Sequence, residues 1–147
     1  MKIVGVKKDD FITIQSFYKN RERHYSATVS IGGRSTSKDK LTFLISNNLA
    51  DGFRPFDSSA FIQQLKQFIE TRHGMVTLYG RENFELRIEA MSGTDLLSLS
   101  LNMDNSSTVF DRKGQIFENV PPSFHGRFLI GRESAERLVD EFEKLFT

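Results

Sequence analysis

Three histidines are the residues of this chain best suited to acid–base catalysis or metal binding. His24, His73 and His125 lie in three different segments of the sequence. Two histidines can bind one metal ion from a helix only when they share a face, as in H-x-x-x-H, and that spacing does not occur. The chain has no cysteine, which excludes thiolate ligands, disulfides and a cysteine nucleophile. The sequence predicts no metal site and no cofactor, and only His125 is considered as a residue that could line a pocket.

Carboxylates and a glycine-containing loop offer two further routes to catalysis, and neither fits. Glu82, Glu85 and Glu89 form a cluster, but the last two alternate with apolar residues and belong on the solvent face of a strand. Residues 32–37, Gly-Gly-Arg-Ser-Thr-Ser, could hold a phosphate through backbone N–H groups, yet no helix begins there to add its dipole. No P-loop, strand-linked G-x-G-x-x-G or G-x-S-x-G is present. We predict no catalytic residue, and an enzyme is the least favoured class.

Basic and aromatic residues are interleaved between Phe17 and Tyr25, in the order Phe-Tyr-Lys-Asn-Arg-Glu-Arg-His-Tyr. Such a mixture suits single-stranded nucleic acid, because phosphates pair with arginine and bases stack on tyrosine. The run is short and Glu22 dilutes it, so a solvated hairpin tip is the favoured interpretation. Residues 1–40 carry nine basic and four acidic residues, whereas residues 41–147 carry eleven and fifteen, and this asymmetry can steer a charged partner. The contact residues predicted at this tip are Tyr18, Arg21 and Arg23.

A second contact surface is predicted between residues 109 and 117. Val109-Phe110 and Ile116-Phe117 flank Asp111-Arg-Lys-Gly114, which is the pattern of a small hairpin with a four-residue turn. If this hairpin projects, its apolar side chains need a partner, either a second copy by strand addition or another protein. If it folds back, the same side chains belong to the core, and both alternatives stay open. The contact residues predicted here are Phe110, Arg112 and Lys113.

Two amphipathic helices are predicted to position these surfaces, at about 58–73 and 132–146. Asp57 or Ser58 can cap the first helix, and Gly74 follows it where a left-handed residue is common. Opposite charges four residues apart add support on the exposed face of the second helix. Each helix has an apolar stripe at helical spacing. The stripes are Phe61, Ile62, Leu65, Phe68 and Ile69 in the first helix, and Ala135, Leu138, Val139, Phe142, Leu145 and Phe146 in the second.

The other segments alternate polar and apolar residues with the period of strands, and the polar segment 18–24 is predicted as a long hairpin loop. No helix separates the three strands expected between residues 75 and 102, so they are predicted to form an antiparallel meander. The sequence predicts a single α+β domain over residues 1–147, with a largely antiparallel sheet of about seven to eight strands. The strands expected around that loop and after the first helix are Phe11–Phe17, Tyr25–Ile31, Met75–Tyr79, Phe84–Glu89, Asp95–Asn102 and Phe124–Ile130.

Length and composition are those of an ordinary globular domain. The chain has 147 residues, of which 38% are hydrophobic and 27% charged. Its first residues contain no apolar run of the kind found in signal peptides, and no segment approaches the length of a membrane span. We therefore expect a cytoplasmic protein with no membrane partner.

From about residue 53 onward, the order of elements carries a family resemblance. The matching segments are the helix with Phe61, Leu65 and Phe68, then Gly74–Leu78, Asn83–Ile88, Leu97–Leu101, and Phe124–Gly131 running into the helix with Leu138 and Phe142. In this order the chain resembles the small bacterial immunity proteins that protect a cell from polymorphic, contact-dependent toxins, in particular the WapI-like group. The resemblance implies a non-enzymatic inhibitor that binds a cognate toxin domain. It assigns no binding residue, because such proteins present variable surfaces to their own toxins.

The sequence is compatible with two functions. The first is an immunity-type protein that occludes the active site or substrate groove of its toxin, with charge complementarity speeding the encounter. The second is a homodimeric module that contacts nucleic acid through the basic N-terminal third, in which case binding must fall steeply as salt rises. The sequence favours a protein toxin as the partner over nucleic acid and leaves a homodimer possible.

Overall fold

The structure is a computed structural model, and in the residues that it describes it confirms the α+β class with two helices. It describes residues 1–19, 21–31, 34–35, 41–43, 58–79, 84–104 and 123–147. The strands in these residues are β1 (Lys2–Val4), β2 (Phe11–Lys19), β3 (Glu22–Ile31), β4 (Arg34–Ser35), β5 (Leu41–Phe43), β6 (Met75–Tyr79), β7 (Phe84–Ala90), β8 (Leu97–Asp104) and β9 (Ser123–Ile130). The helices are α1 (Ser58–Thr71) and α2 (Arg132–Phe146).

The strands are divided between two antiparallel sheets. Sheet A has five strands in the order β1-β2-β3-β4, with β5 also paired to β3, and sheet B has four in the order β6-β7-β8-β9. The sequence correctly predicted antiparallel pairing but placed about seven to eight strands in one sheet. Alternation identifies a strand and its buried face, but it carries no information about which strands exchange hydrogen bonds. The division is therefore a result of tertiary packing.

The β2–β3 hairpin is longer and its turn tighter than the sequence indicated. Its ladder runs from Phe11 opposite Ser30 to Lys19 opposite Glu22, so that only two residues of the chain separate the paired strands. Arg21 has a φ of 66°, a left-handed conformation typical of tight hairpin turns. The predicted loop 18–24 is thus mostly strand. Polar side chains occur in loops and also on the solvent-facing side of strands. They therefore did not distinguish a loop from a strand in this segment.

Helix α1 ends at Thr71, two residues before its predicted end. The Arg72 N–H still donates to the Phe68 carbonyl over 2.8 Å, but Arg72 itself has a φ of 52°. A left-handed residue after the last turn ends a helix, and glycine is the residue that adopts this conformation most readily. Gly74 does have a φ of 84°, yet the chain has already left the helix at Arg72. Asp57, one of the two predicted caps, lies outside the described residues.

One hydrophobic core contains residues from both sheets and both helices. Its members on sheet B alternate along the strands, as predicted, so that Phe84, Leu86 and Ile88 are buried on one face. The helices contribute the stripes read from the sequence, and the Phe61 and Phe142 rings meet edge to face with centroids 5.0 Å apart. This contact brings α1 and α2 together. No helix in the described part of the chain is long and apolar enough to cross a membrane.

A short segment after β1 joins the two sheets. The Val6 N–H donates to the Leu129 carbonyl of β9 over 2.8 Å, and the Gly5 N–H donates to the Asp10 carbonyl over 2.6 Å. A Cβ atom added at Gly5 would lie 2.8 Å from Cδ2 of Phe128. Carbon atoms do not approach so closely without a shift, so this junction requires glycine.

Candidate interaction surface

Arg23 of β3 binds the carboxyl end of α2. Its Nη1 donates to the Phe146 carbonyl and its Nη2 to the Leu145 carbonyl, each over 2.9 Å. The last four carbonyls of a helix have no N–H partner within it and carry the negative end of the helix dipole. A planar guanidinium can serve two such neighbouring acceptors because its donors have a fixed geometry. Arg23 therefore fastens the β2–β3 hairpin to the end of α2.

Two tyrosines flank the Arg23 guanidinium. Its central carbon lies 6.0 Å from the centroid of the Tyr18 ring and 5.6 Å from that of Tyr25, which is the range of cation–π contacts. Tyr25 is buried, and its ring meets that of Phe146 edge to face at 5.9 Å. Burial raises the pKa of the Tyr25 phenol, while the positive charge of Arg23 lowers it. The guanidinium thus links the aromatic core at Tyr25 to the surface at Tyr18.

The tip of the hairpin presents large side chains to solvent. Tyr18 is 72% exposed and Phe17 is 36% exposed, and Arg21 in the turn is exposed as well. Tyrosine and arginine are enriched among the residues that dominate binding at protein interfaces. Because Arg23 holds the backbone beneath them, less freedom is lost when a partner orders this tip. The hairpin tip, defined here as Phe17, Tyr18 and Arg21, has the properties of a preorganised contact surface.

The structure brings together three of the six predicted contact residues. Tyr18 and Arg21 lie at the hairpin tip, and Arg23 lies directly beneath it with its charge directed at α2. Phe110, Arg112 and Lys113 lie outside the described residues, so the hairpin predicted at 109–117 stays a prediction. No local pattern indicates the role of Arg23, because its acceptors lie 122 and 123 residues away along the chain.

The outer face of sheet B, opposite the core, is polar. His125 is exposed on this face, and its Nδ1 lies 3.0 Å from Oδ1 of Asn102 on the neighbouring strand. Arg87 lies between two carboxylates, with Nη2 2.7 Å from Glu85 and Nη1 3.9 Å from Glu89. Two members of the predicted carboxylate cluster, Glu85 and Glu89, are therefore paired with a cation on the outer face of the sheet, whereas Glu82 lies outside the described residues.

Strand β6, at the edge of sheet B, carries two exposed side chains that were not among the predicted contact residues. Met75 is 58% exposed and Tyr79 is 61% exposed, and both lie on the outer face, while Val76 and Leu78 between them are buried. The available signal was the composition of the strand, Met-Val-Thr-Leu-Tyr, which has no charged residue. Whether such a strand lies at an edge depends on sheet order, which the sequence does not reveal.

Other candidate chemistry is sparse in the described ranges. They contain no group of three or more His, Asp or Glu side chains placed to hold a metal ion. His73 is exposed just beyond α1, and His24 lies within β3 and not in a loop. No family model, curated protein or solved structure matches the chain.

Proposed function

We propose that this chain is a non-enzymatic, immunity-type protein that binds and neutralises a cognate protein toxin. The binding surface includes the hairpin tip, with Tyr18 and Arg21 in contact with the toxin and Arg23 as a positioning residue. Phe110, Arg112 and Lys113 are the further contact residues of this proposal. The inhibitor would work by covering the active site or substrate groove of the toxin.

The observation that carries the proposal is the exposed tyrosine on an anchored hairpin. Tyr18 is 72% exposed, and its ring centroid lies 6.0 Å from the Arg23 guanidinium carbon. That guanidinium is itself hydrogen-bonded to the end of α2. An exposed side chain on a mobile loop must be ordered when a partner binds, at about 0.5–1.5 kcal/mol for each side chain. The anchor reduces this cost. Rigid aromatic residues on a fixed scaffold favour a binding protein over a chain whose function depends on loop closure.

Charge supports a protein partner more than a nucleic acid. The basic N-terminal third was the basis for nucleic-acid binding, and Arg23 is one of its nine cations. Its Nη1 and Nη2 groups donate to two helix carbonyls, so these groups are not available to a phosphate without breaking those bonds. At the hairpin tip the exposed Arg21 is available to a partner, and a single arginine next to tyrosine suits an acidic patch on a protein. The cognate toxin is therefore expected to be acidic where it meets the tip.

The direct test is co-expression with the C-terminal domain of any large secreted protein encoded next to this chain. The wild type should co-purify with that domain and protect cells that express it. Tyr18→Ala and Arg21→Ala should each raise the dissociation constant by at least about tenfold, as is usual for interface hot spots. Tyr79→Ala is the matched control, since Tyr79 is also an exposed tyrosine but lies on the other sheet, and it should leave the affinity unchanged.

Two results would contradict the proposal. The first is a wild-type chain that neither binds nor protects against the neighbouring toxin domain. The second is tight binding to RNA or DNA that weakens steeply between low and physiological salt, which would favour the nucleic-acid module instead. If binding persists but Tyr18→Ala and Tyr79→Ala behave alike, the hairpin tip is not the contact surface.

A further inference from the structure

The edge of sheet B at β6 differs from the sheet edges at β1 and β9. Among the residues that the structure describes, no strand pairs with the side of β6 that faces away from β7. Edge strands usually avoid association by being short or by carrying charges or proline. In this chain β1 has three residues and includes a lysine, and β9 carries His125 and Arg127. β6 has five residues, none of which is charged or proline.

The backbone of β6 is oriented to accept another strand. The Ala90 N–H donates to the Gly74 carbonyl, which makes these two residues a hydrogen-bonded pair in the ladder between β6 and β7. Such pairs alternate with non-bonded ones. The backbone groups of residues 76 and 78 therefore point to β7, and those of residues 75, 77 and 79 point outward. The same alternation across sheet B places the Leu129 carbonyl at the far edge, where Val6 donates to it.

The pattern of exposed and buried side chains along β6 is the same in both directions. From either end it presents an exposed apolar residue, a buried aliphatic residue and then Thr77 at the centre. In an antiparallel pair of two copies centred on Thr77, Met75 of one copy lies opposite Tyr79 of the other. Methionine and aromatic rings attract each other, and paired threonines are favourable across strands. On the core side, Val76 lies opposite Leu78.

We infer that two copies of this chain associate through β6, in an antiparallel pair centred on Thr77. The association joins two B sheets into one continuous sheet of eight strands. It buries the two most exposed apolar side chains of β6 against each other, twice, by symmetry. The charged side chains of β7 are compatible with this register. Glu89 lies beside Met75 and Glu85 lies beside Tyr79. Both glutamates form ion pairs with Arg87 of the same copy.

This interface is small. A pair of five-residue strands buries less than the roughly 1,200 Å² of a standard protein interface. We therefore expect reversible association in the micromolar range rather than a permanent dimer. The inference does not rest on the proposed function, since toxin binding would be measured at nanomolar concentration, where the chain is monomeric.

The register can be tested with two double variants at the same exposed positions. Met75→Lys with Tyr79→Glu places opposite charges against each other in both symmetric pairs, so the dimer should be retained. Met75→Lys with Tyr79→Lys places like charges against each other, and the dissociation constant should rise by roughly tenfold or more. Sedimentation velocity from about 1 µM to about 1 mM covers the range expected for an interface of this size.

The backbone contribution can be tested at Thr77. Thr77→Pro removes the outward N–H and should abolish association, while proline is tolerated at an edge position whose N–H faces solvent. Thr77→Val keeps the N–H and should leave association in place. Far-UV circular dichroism of both variants must match that of the wild type, which separates loss of the dimer from loss of the fold.

Three results would overturn the inference. One is a wild-type chain that stays monomeric over the whole concentration range. Another is equal behaviour of the two double variants, which would exclude the pairing of residue 75 with residue 79. The third is a Thr77→Pro variant that retains its fold and dimerises as the wild type does.

Discussion

Replacing Arg23 with alanine should destabilise the fold by about 2–3 kcal/mol. The side chain makes two hydrogen bonds of 2.9 Å to helix carbonyls, and bonds from a charged donor contribute about 1.5–3 kcal/mol each. Its Nε is buried with no acceptor among the described residues, which offsets about 1–3 kcal/mol of that gain. A loss of 2–3 kcal/mol is a large share of the about 5–15 kcal/mol that stabilises a typical domain.

The measurement is urea denaturation followed by circular dichroism, with Arg21→Ala as the control in the same hairpin. Arg21 is exposed, so its substitution should change the free energy of unfolding by less than about 0.5 kcal/mol. Arg23→Lys should lie between the two, because an ammonium group keeps the interaction with the helix dipole but lacks the fixed pair of donors. If Arg23→Ala and Arg21→Ala unfold at the same urea concentration, Arg23 does not anchor the hairpin.

Three further predictions concern stability. Gly5→Ala should cost about 1–3 kcal/mol by overpacking against Phe128, whereas Gly131→Ala, whose added methyl meets open space, should cost little; thermal denaturation compares them. Arg72→Gly should raise stability by about 1 kcal/mol, and Arg72→Ala should not, because only glycine relieves the φ of 52°. Tyr25 has a pKa raised by burial above its ordinary 10.0, so the unfolded phenol loses its proton first. Stability should therefore fall above about pH 10, and less in Tyr25→Phe, as measured by urea midpoints across pH.

The helices were predictable because their determinants are local. The bounds of α2 agree with the prediction at both ends, and its Arg132–Glu136 and Glu133–Arg137 ion pairs, at 2.8 and 2.6 Å, join residues four apart. The prediction of the end of α1 was less accurate, since Gly74 was expected to end the helix and Arg72 does so. Glycine is preferred at that position but is not required, and packing after the helix can impose the conformation on another residue.

The sheets were predictable only within each hairpin. The alternation of Phe84, Leu86 and Ile88 gave the buried face of β7, but the partition into two sheets depends on distant contacts such as the Val6–Leu129 bond. The candidate site shows the same limit. Tyr18 and Arg21 could be selected because aromatic and basic residues alternate locally, whereas the acceptors of Arg23 belong to an element more than a hundred residues away.

Residue type alone therefore does not show which charged or apolar side chains of this chain are available to a partner. Arg23, a cation selected as a contact residue, has its Nη groups bound to the end of α2. Met75 and Tyr79 lie in a strand without a charged residue, and both are exposed on the edge strand β6. The hairpin tip belongs to sheet A and the free edge to sheet B. Association through β6 consequently leaves the tip of each copy available. A dimer would carry two tips, and linking two binding sites raises the apparent affinity for a partner only if the geometry lets both bind at once.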